Sequence, residues 1–232
     1  MTIKILLGVL LTAVIVLGFG LPMSPAPQAW YELPVIPGLE EKARIIFFHV
    51  PTAWLSVLAF LTSMFYAVQY LRNRESIDDA KSSAAAGLGF MFCILATLTG
   101  AVWAKFNWGS YWNWDPRETS IFVLLLIYGA YFSLRSAVEV EEKRAVLSSV
   151  YSIIAAVTVP FFIFIMPRIM TGLHPGAKGD PEGAGPVIEF KMSPTMRIIF
   201  FTSLIAFTLL FYWMFTLRVR AARLEAHHQS KE

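Results

Sequence analysis

The sequence predicts an all-α integral membrane protein that folds as a bundle of six transmembrane helices. Of its 232 residues, 56% are hydrophobic and only 15% are charged, whereas about a quarter of the residues of a soluble domain are charged. The mean hydropathy is +0.59. Six stretches contain no Asp, Glu, Lys or Arg, and none shows the alternating pattern of a barrel strand. Helices are therefore the structures that satisfy their backbone in lipid.

The six stretches define the predicted helices in order, and residues 1–232 are treated as one domain. About 20 apolar residues cross the hydrocarbon core of a bilayer, and each stretch is near that length. The first stretch follows Lys4 as in a signal peptide, but it is longer than a signal-peptide core and lacks a small-residue cleavage site. We therefore assign it as a helix. The predicted helices are Ile5–Leu21, Ile45–Leu71, Ser82–Ala104, Thr119–Leu134, Ala145–Pro167 and Ile198–Leu217.

Six crossings place both termini on one side of the membrane, and the distribution of Lys and Arg indicates which side. The segments on the side of the termini carry 11 Lys or Arg in 39 residues, against 8 in 66 for the opposite segments. Positive residues favour the cytoplasm, so both termini are predicted to be cytoplasmic. The other loops, including residues 105–118, are then predicted to lie on the periplasmic side of a bacterial inner membrane.

The remaining composition excludes several classes of function. Cys93 is the only cysteine, so the chain has no internal disulfide and no CxxC redox pair. The net charge of +3 is typical of loops that face anionic lipid, and the sequence contains no nucleic-acid-binding motif. It also contains no Walker A loop and no Ser-His-Asp set for nucleophilic catalysis. We expect a non-enzymatic protein that contacts membrane lipid and no nucleic acid.

A tryptophan-rich segment lies in the predicted periplasmic loop 105–118. Four of the seven tryptophans fall within the twelve residues 103–114, three of them in this loop, together with Phe106 and Tyr111. One interpretation is an aromatic belt, since Trp and Tyr favour the headgroup region. The other is a platform for a large planar ligand, because ring stacking and apolar burial supply affinity. The candidate platform residues are Trp108, Tyr111, Trp112, Trp114 and Asp115.

Charged residues lie at both ends of this segment. Lys105 and Arg117 are candidates to pair with anionic groups of a ligand. An internal ion pair between Arg117 and Asp115 or Glu118 is the competing interpretation. Asp115 also precedes Pro116, an order typical of a residue that caps the start of a helix.

Two of the four histidines are predicted to lie on the same face as the tryptophan-rich loop. His49 is near the outer end of the second helix, and His174 follows the fifth helix. Each also has a structural interpretation: an interfacial histidine bonded to a backbone carbonyl, or a histidine in a turn. Two imidazoles beside an aromatic platform instead favour axial ligation of haem iron. Pro51 is expected to bend the helix beside His49, and Pro175 to hold His174 in an extended conformation.

The tryptophan-rich string resembles the WWD signature of membrane proteins that handle haem in cytochrome c maturation. It reads Trp-Gly-Ser-Tyr-Trp-Asn-Trp-Asp-Pro-Arg-Glu-Thr over residues 108–119. With six predicted spans, the chain resembles the CcmC (haem exporter protein C) family along nearly its whole length. Tyr111, Pro116 and Glu118 are more similar to the larger CcsA-type subunit of cytochrome c synthases, which has more histidines and more helices.

The resemblance implies roles for the residues singled out above. His49 in a His-Val-Pro context and His174 in a Leu-His-Pro context match the two axial ligands of haem iron in CcmC-like proteins. The tryptophans of the signature would pack against one edge of the porphyrin. The implied propionate contacts are Arg117, Lys105 and Arg44.

The resemblance also implies haem b as a transient cargo and a set of partners. The cargo would pass to a periplasmic haem chaperone of the CcmE type. The CcmA/CcmB ATP-binding cassette transporter would supply energy, and the small membrane subunit CcmD would stabilise the complex. Two alternatives stay open. One is a CcsA-like synthase subunit that attaches haem to apocytochrome c, and the other is a transporter that passes haem between helices.

Overall fold

The computed structural model describes residues 2–179 and 192–229. Among these residues, six helices are long and apolar enough to cross a membrane, which confirms the predicted class. A 3-10 turn precedes the second helix, and a two-residue parallel strand pair lies in the first loop. The elements are α1 (Thr2–Gly20), β1 (Met23–Ser24), β2 (Leu33–Pro34), the 3-10 turn (Glu40–Ile45), α2 (Ile46–Asn73), α3 (Ser76–Trp108), α4 (Pro116–Ala137), α5 (Glu141–Pro160), a π-helical turn (Phe161–Ile165), α6 (Met166–Ile169) and α7 (Pro194–Gln229).

Most helices extend past the uncharged stretches that predicted them. The third helix begins at Ser76, six residues before its predicted start at Ser82. Asp79 in this added part bonds Arg135 of α4 through both carboxylate oxygens, at 2.7 and 2.9 Å. Charged side chains enter a protein interior when they are paired, so a search for charge-free stretches ends too early at such a pair.

The predicted fifth helix, Ala145–Pro167, is present within one helical span and contains a π-helical turn near its end. Pro160 closes α5 and is followed by the π-helical turn and by the short α6. Proline has no N–H group to donate to the preceding turn, and π-helical turns accommodate such irregularities. Together these pieces form one continuous helical span, Glu141–Ile169, which ends five residues before His174.

The tryptophan-rich loop is shorter than the predicted residues 105–118. The third helix continues to Trp108 and ends at Gly109, whose φ of +81° is a left-handed conformation that glycine adopts without strain. Lys105 Nζ donates a 2.8 Å hydrogen bond to the carbonyl oxygen of Gly109. The fourth helix then begins at Pro116. The loop itself therefore comprises residues 109–115.

The second helix lies at the centre of the bundle, in contact with α3, α5 and α7. A Cβ atom at Gly89 of α3 would lie 2.5 Å from Phe60 Cδ1, so this glycine allows α2 and α3 to approach closely. Phe60 in turn stacks on Tyr128 of α4, with ring centroids 3.5 Å apart. These contacts form the core between four of the spans.

Pro51 lies inside α2, which nevertheless continues to Asn73 as one helix. Because Pro51 has no N–H group, the carbonyl oxygen of Phe47 loses its helical partner. Ser203 of α7 donates its hydroxyl to this same oxygen. An unpaired carbonyl in the hydrocarbon region is costly, and the contact with α7 removes that cost.

One end of the bundle, which we call the site face, brings together parts of the chain that are distant in sequence. Arg44, just before α2, donates 2.8 Å hydrogen bonds to the carbonyl oxygens of Gly18 and Leu21 at the end of α1. Asp115, just before α4, accepts a hydrogen bond from Leu173 after α6. The alternating direction of the six spans places the start of α1 and the end of α7 at the opposite face. Which face is periplasmic stays a prediction.

Candidate functional site

His49 lies in the first turn of α2 and packs against the end of α3. Its Nδ1 is 2.9 Å from Thr99 Oγ1. A Cβ atom at Gly100 would lie only 3.1 Å from His49 Cε1, so the absence of a side chain at Gly100 lets the imidazole lie against the helix. The polar partner of His49 is thus a hydroxyl group rather than the backbone carbonyl of the structural interpretation.

His174 lies in the loop after α6, with its imidazole beside two indole rings. The ring centroids of Trp103 and Trp108 are 5.8 and 6.3 Å from that of His174. The Nδ1 of His174 is 3.2 Å from the carbonyl oxygen of Pro175. A carbonyl only accepts, so Nδ1 carries the proton and the lone pair of Nε2 stays available to a metal.

The imidazole of His174 is held in its neutral form. Burial lowers the pKa of His174 to about 3, and the positive charge of Arg117 adds to this shift. At neutral pH the ring is therefore uncharged, and neutral imidazole is the form that ligates metals. The structural interpretation of a histidine in a turn accounts for the contact with Pro175, but not for the two indole rings that pack beside the half-buried imidazole.

Both histidines pack on the last turns of α3. Thr99, which contacts His49, and Trp103, which contacts His174, are four residues apart on this helix, and such residues lie on one face, one above the other. The structure therefore places the two histidines at the same end of the bundle, as the number of crossings predicts.

The first group of aromatic residues lies on one side of His174. Trp108 packs edge-on against Trp103, with ring centroids 5.1 Å apart. The indole nitrogen of Trp103 donates a 3.3 Å hydrogen bond to the carbonyl oxygen of Lys42, which fixes its ring against the segment before α2. Trp103 and Trp108 thus form a rigid wall on one side of His174.

The second group lies in and after the loop itself. Trp112 and Trp114 are perpendicular, with centroids 5.8 Å apart, and both contact Phe122 of α4. Tyr111 lies 5.6 Å from the ammonium group of Lys105. The side chains of Tyr111 and Trp114 are 59% and 68% exposed. The predicted platform is therefore divided between an inner wall at His174 and an outer, exposed group.

Asp115 caps α4, as one of the two sequence interpretations states. Its carboxylate accepts a 2.9 Å hydrogen bond from the backbone nitrogen of Arg117, while Glu118 reaches back to the backbone nitrogens of Asn113 and Asp115 at 2.7 and 3.3 Å. The other carboxylate oxygen of Asp115 accepts from the backbone nitrogen of Leu173 at 2.7 Å. Asp115 thus connects the tryptophan-rich loop to the residue before His174.

Arg117 has no ion-pair partner within the described part of the chain. Neither Asp115 nor Glu118 forms a salt bridge with its guanidinium group, so the internal pair that competes with ligand binding is not formed. Its Nε is buried and has no hydrogen-bond partner among those residues. The positive charge of Arg117 lowers the pKa of His174. A buried donor of this kind favours an anionic ligand nearby.

The other two predicted cations are already engaged. The guanidinium group of Arg44 bonds Glu41 and two carbonyl oxygens of the α1 end, through all three of its nitrogens. Lys105 donates to Gly109 at the end of α3 and is exposed. Arg117 is therefore the candidate whose donor is still free.

Two residues of the site were not singled out from the sequence as site residues. Trp103 contacts His174, and Thr99 contacts His49. The signal that identifies them is helical spacing, because Thr99 and Trp103 are four residues apart and share one face of α3. Both residues lie within the predicted helix Ser82–Ala104, so this spacing is present in the sequence itself.

The arrangement fits an iron porphyrin. Two imidazoles at one end of the bundle can supply the two axial nitrogens of a haem iron, and the tautomer of His174 leaves its Nε2 free to do so. The indole wall offers apolar surface to a flat macrocycle. The unpartnered Nε of Arg117 suits a carboxylate such as a propionate.

Comparison with known proteins gives a consistent family. The model of the family described as CcmC, Heme exporter protein C, matches residues 2–232. A protein named Heme exporter protein C from Bradyrhizobium diazoefficiens is 31% identical over 226 residues, which cover 97% of this chain and 80% of the relative. A protein of the same name from Paracoccus denitrificans is 30% identical over 177 residues, or 76% of this chain and 71% of the relative.

A second kind of relative is similar over a shorter region. A protein named Cytochrome c biogenesis protein CcsA from Fagopyrum esculentum subsp. ancestrale is 40% identical over 92 residues. These residues cover 38% of this chain and 28% of the relative.

Proposed function

This chain belongs to the heme exporter protein C family, and on that premise we propose that it binds haem b at the site face and presents it to a periplasmic chaperone of the CcmE type. The family supports a multi-pass membrane protein of cytochrome c maturation. The observation that carries the finer proposal is the neutral, half-buried His174 beside the wall of Trp103 and Trp108. His49 packs on the same helix end.

In this proposal, His49 and His174 bind the haem iron from its two faces through Nε2. Trp103 and Trp108 exclude water from the side of His174, and this favours an apolar macrocycle. Arg117 pairs with a propionate, because a charge-assisted hydrogen bond to a carboxylate satisfies its buried Nε. Haem supplies the iron and the reactive vinyl groups, and the chain supplies ligands and shielding.

The exposed outer group of aromatic residues is the surface we assign to the acceptor. Trp114 and Tyr111 are exposed at the site face, where a chaperone of the CcmE type would meet the haem edge. We assign this face to the periplasmic side of a bacterial inner membrane. The sequence has no Walker A loop, so the energy for release would come from a CcmA/CcmB transporter. CcmD would be the small subunit of that complex.

The absorption spectrum of the full chain, purified in detergent after expression with haem, tests the ligand assignment. We expect a low-spin Soret spectrum of bis-imidazole haem. Replacement of His49 and His174 by Ala together should abolish stable retention of haem. Replacement of His227 and His228, at the opposite face, is the matched control and should leave the spectrum unchanged. Unchanged retention in the variant of His49 and His174 would disprove the assignment.

A transfer experiment tests the role in presentation. The loaded chain is mixed with a purified CcmE-type chaperone, in the presence and absence of the CcmA/CcmB transporter and ATP. Loss of haem from the membrane fraction and its gain by the chaperone are the expected results. Haem that stays with the chain under every condition would contradict the proposed acceptor.

The similarity to CcsA proteins supports a second candidate, a synthase subunit that attaches haem to apocytochrome c. Within the matched string, Tyr111 and Glu118 are the residues that favour it. The experiment that separates the two is incubation of the loaded chain and its membrane partners with apocytochrome c in the absence of any CcmE-type protein. Covalent cytochrome c would favour the synthase, and its absence would favour the chaperone route.

A further inference from the structure

We propose that Thr99 is a positioning residue that fixes the proton of His49 on Nδ1 and so keeps Nε2 of His49 free for the haem iron. The proposal rests on the proposed function, in which His49 is an axial ligand. Its starting point is the 2.9 Å contact between His49 Nδ1 and Thr99 Oγ1. Whether this contact helps or prevents metal binding depends on which of the two atoms holds the hydrogen.

The surroundings of Thr99 decide the direction of that hydrogen bond. Its hydroxyl oxygen lies 2.8 Å from the carbonyl oxygen of Leu95 and 3.2 Å from that of Ala96. Carbonyl oxygens only accept, and a hydroxyl has a single hydrogen. Threonine in a helix commonly donates this hydrogen to the preceding turn. The hydroxyl oxygen of Thr99 then faces His49 as an acceptor, so the imidazole donates from Nδ1.

The contact also fixes the orientation of the ring. Thr99 is β-branched, which restricts its side-chain rotamers in a helix. Gly100, the next residue, has no side chain, so the ring lies against its backbone. A Cβ atom at Gly100 would be 3.1 Å from His49 Cε1. A hydrogen bond at Nδ1 and a flat backbone surface beside Cε1 together determine where Nε2 points.

The same arrangement occurs at the other histidine with a different acceptor. His174 donates from Nδ1 to the carbonyl oxygen of Pro175. Both ligands are therefore assigned the Nδ1–H tautomer, with Nε2 available. Groups that hold a ligating histidine in this way also tune its basicity, and their replacement changes metal affinity by about 10- to 100-fold.

Nitrogen-15 solid-state NMR of the haem-free full chain in lipid bilayers tests the tautomer directly. His174, His227 and His228 are replaced by Gln so that His49 gives the only labelled histidine signal. Three further substitutions are compared: Thr99→Val, which removes the hydroxyl, Thr99→Ser, which retains it, and Thr97→Val. Thr97 is the matched control because its hydroxyl bonds the carbonyl oxygen of Cys93 at 2.8 Å on the same helix.

We expect His49 to be protonated on Nδ1 in the parent chain and in the Thr99→Ser and Thr97→Val variants, and to populate both tautomers in Thr99→Val. In chains that retain all histidines, Thr99→Val should release haem about 10- to 100-fold faster and shift the low-spin EPR signal. The Thr99→Ser variant should have the haem release rate and the EPR signal of the parent chain. A proton on Nε2 of His49 in the parent chain would overturn the proposal, even if Thr99→Val does not fold.

An unchanged tautomer and release rate in folded Thr99→Val would overturn it equally. A failure of the proposed function gives a different result, because the parent chain would then bind no haem while the tautomer of His49 could still be measured. The two hypotheses are therefore tested separately.

Discussion

The carboxylate of Asp115 joins two loops that are 58 residues apart in the sequence, because one of its oxygens accepts a 2.7 Å hydrogen bond from the backbone nitrogen of Leu173. The other oxygen accepts from the backbone nitrogen of Arg117 at the start of α4. Asp115 is only 4% exposed. The position of His174, the next residue after Leu173, therefore depends on a cap of α4.

Gly172 provides a sensitive test of this connection. A Cβ atom there would lie 2.7 Å from the bonded carboxylate oxygen of Asp115 and 3.1 Å from Pro116 Cδ. Gly172→Ala should displace the histidine loop and lower haem affinity by about tenfold, the effect of losing about 1.4 kcal/mol. Gly129→Ala is the control, because a Cβ atom at Gly129 meets nothing within 4 Å. Haem titration followed at the Soret band measures the affinity of both variants. Equal affinities of the Gly172→Ala and Gly129→Ala variants would contradict the dependence of His174 on Asp115.

The role of Arg117 predicts a dependence on the charge of the porphyrin. Arg117→Gln should weaken binding of haem by about 10- to 100-fold, since a hydrogen bond to a charged group contributes about 1.5–3 kcal/mol. The affinity of the Arg117→Gln variant for the uncharged dimethyl ester of haem should match the affinity of the parent chain for that ester. Lys105→Gln, at an exposed residue that already bonds Gly109, should change neither affinity by more than about twofold. Equal losses for both ligands would indicate a general structural effect.

Trp103 is predicted to orient His174. Trp103→Leu removes the indole that lies 5.8 Å from the imidazole and the hydrogen bond to Lys42. We expect faster loss of haem and a broader low-spin EPR signal, since His174 gains freedom on that side. Trp54→Leu, at an exposed tryptophan of α2 that bonds Thr208, is the control with equal loss of side-chain volume. If the EPR signal of Trp103→Leu keeps its parent width, Trp103 does not orient the ligand.

Ser203 and Pro51 form a pair that can be tested without haem. Ser203→Ala leaves the carbonyl oxygen of Phe47 without a donor, and a buried unpaired acceptor costs about 1–3 kcal/mol. Pro51→Ala restores a backbone N–H group for that carbonyl, so Ser203→Ala should then have little effect. Unfolding of the four combinations in mixed micelles gives the coupling energy. Simple additivity would show that Ser203 does not compensate for the proline.

The number of helices was predictable because it depends on composition alone. A span needs about 20 apolar residues, and six such stretches are evident without any contact information. The ends of the helices were less predictable, since they depend on partners elsewhere. Asp79 lies in α3 beyond the charge-free stretch and pairs with Arg135 of α4, and α3 continues past its predicted end at Ala104 to Trp108.

The candidate site was predictable where it depends on the number of spans and on local sequence. The common face of His49 and His174 follows from counting spans, and the cap at Asp115 follows from its place before Pro116. The hydrogen bond from Leu173 to Asp115 and the contact of His49 with Thr99 join segments 58 and 50 residues apart. No local pattern contains such information. The roles of these residues in haem binding stay predictions.

The shared carboxylate also constrains how this family can diversify. A residue inserted between Gly109 and Asp115, or between α6 and Leu173, would move one end of a 2.7 Å bond and not the other. The lengths of these two loops should therefore be retained or altered jointly among relatives.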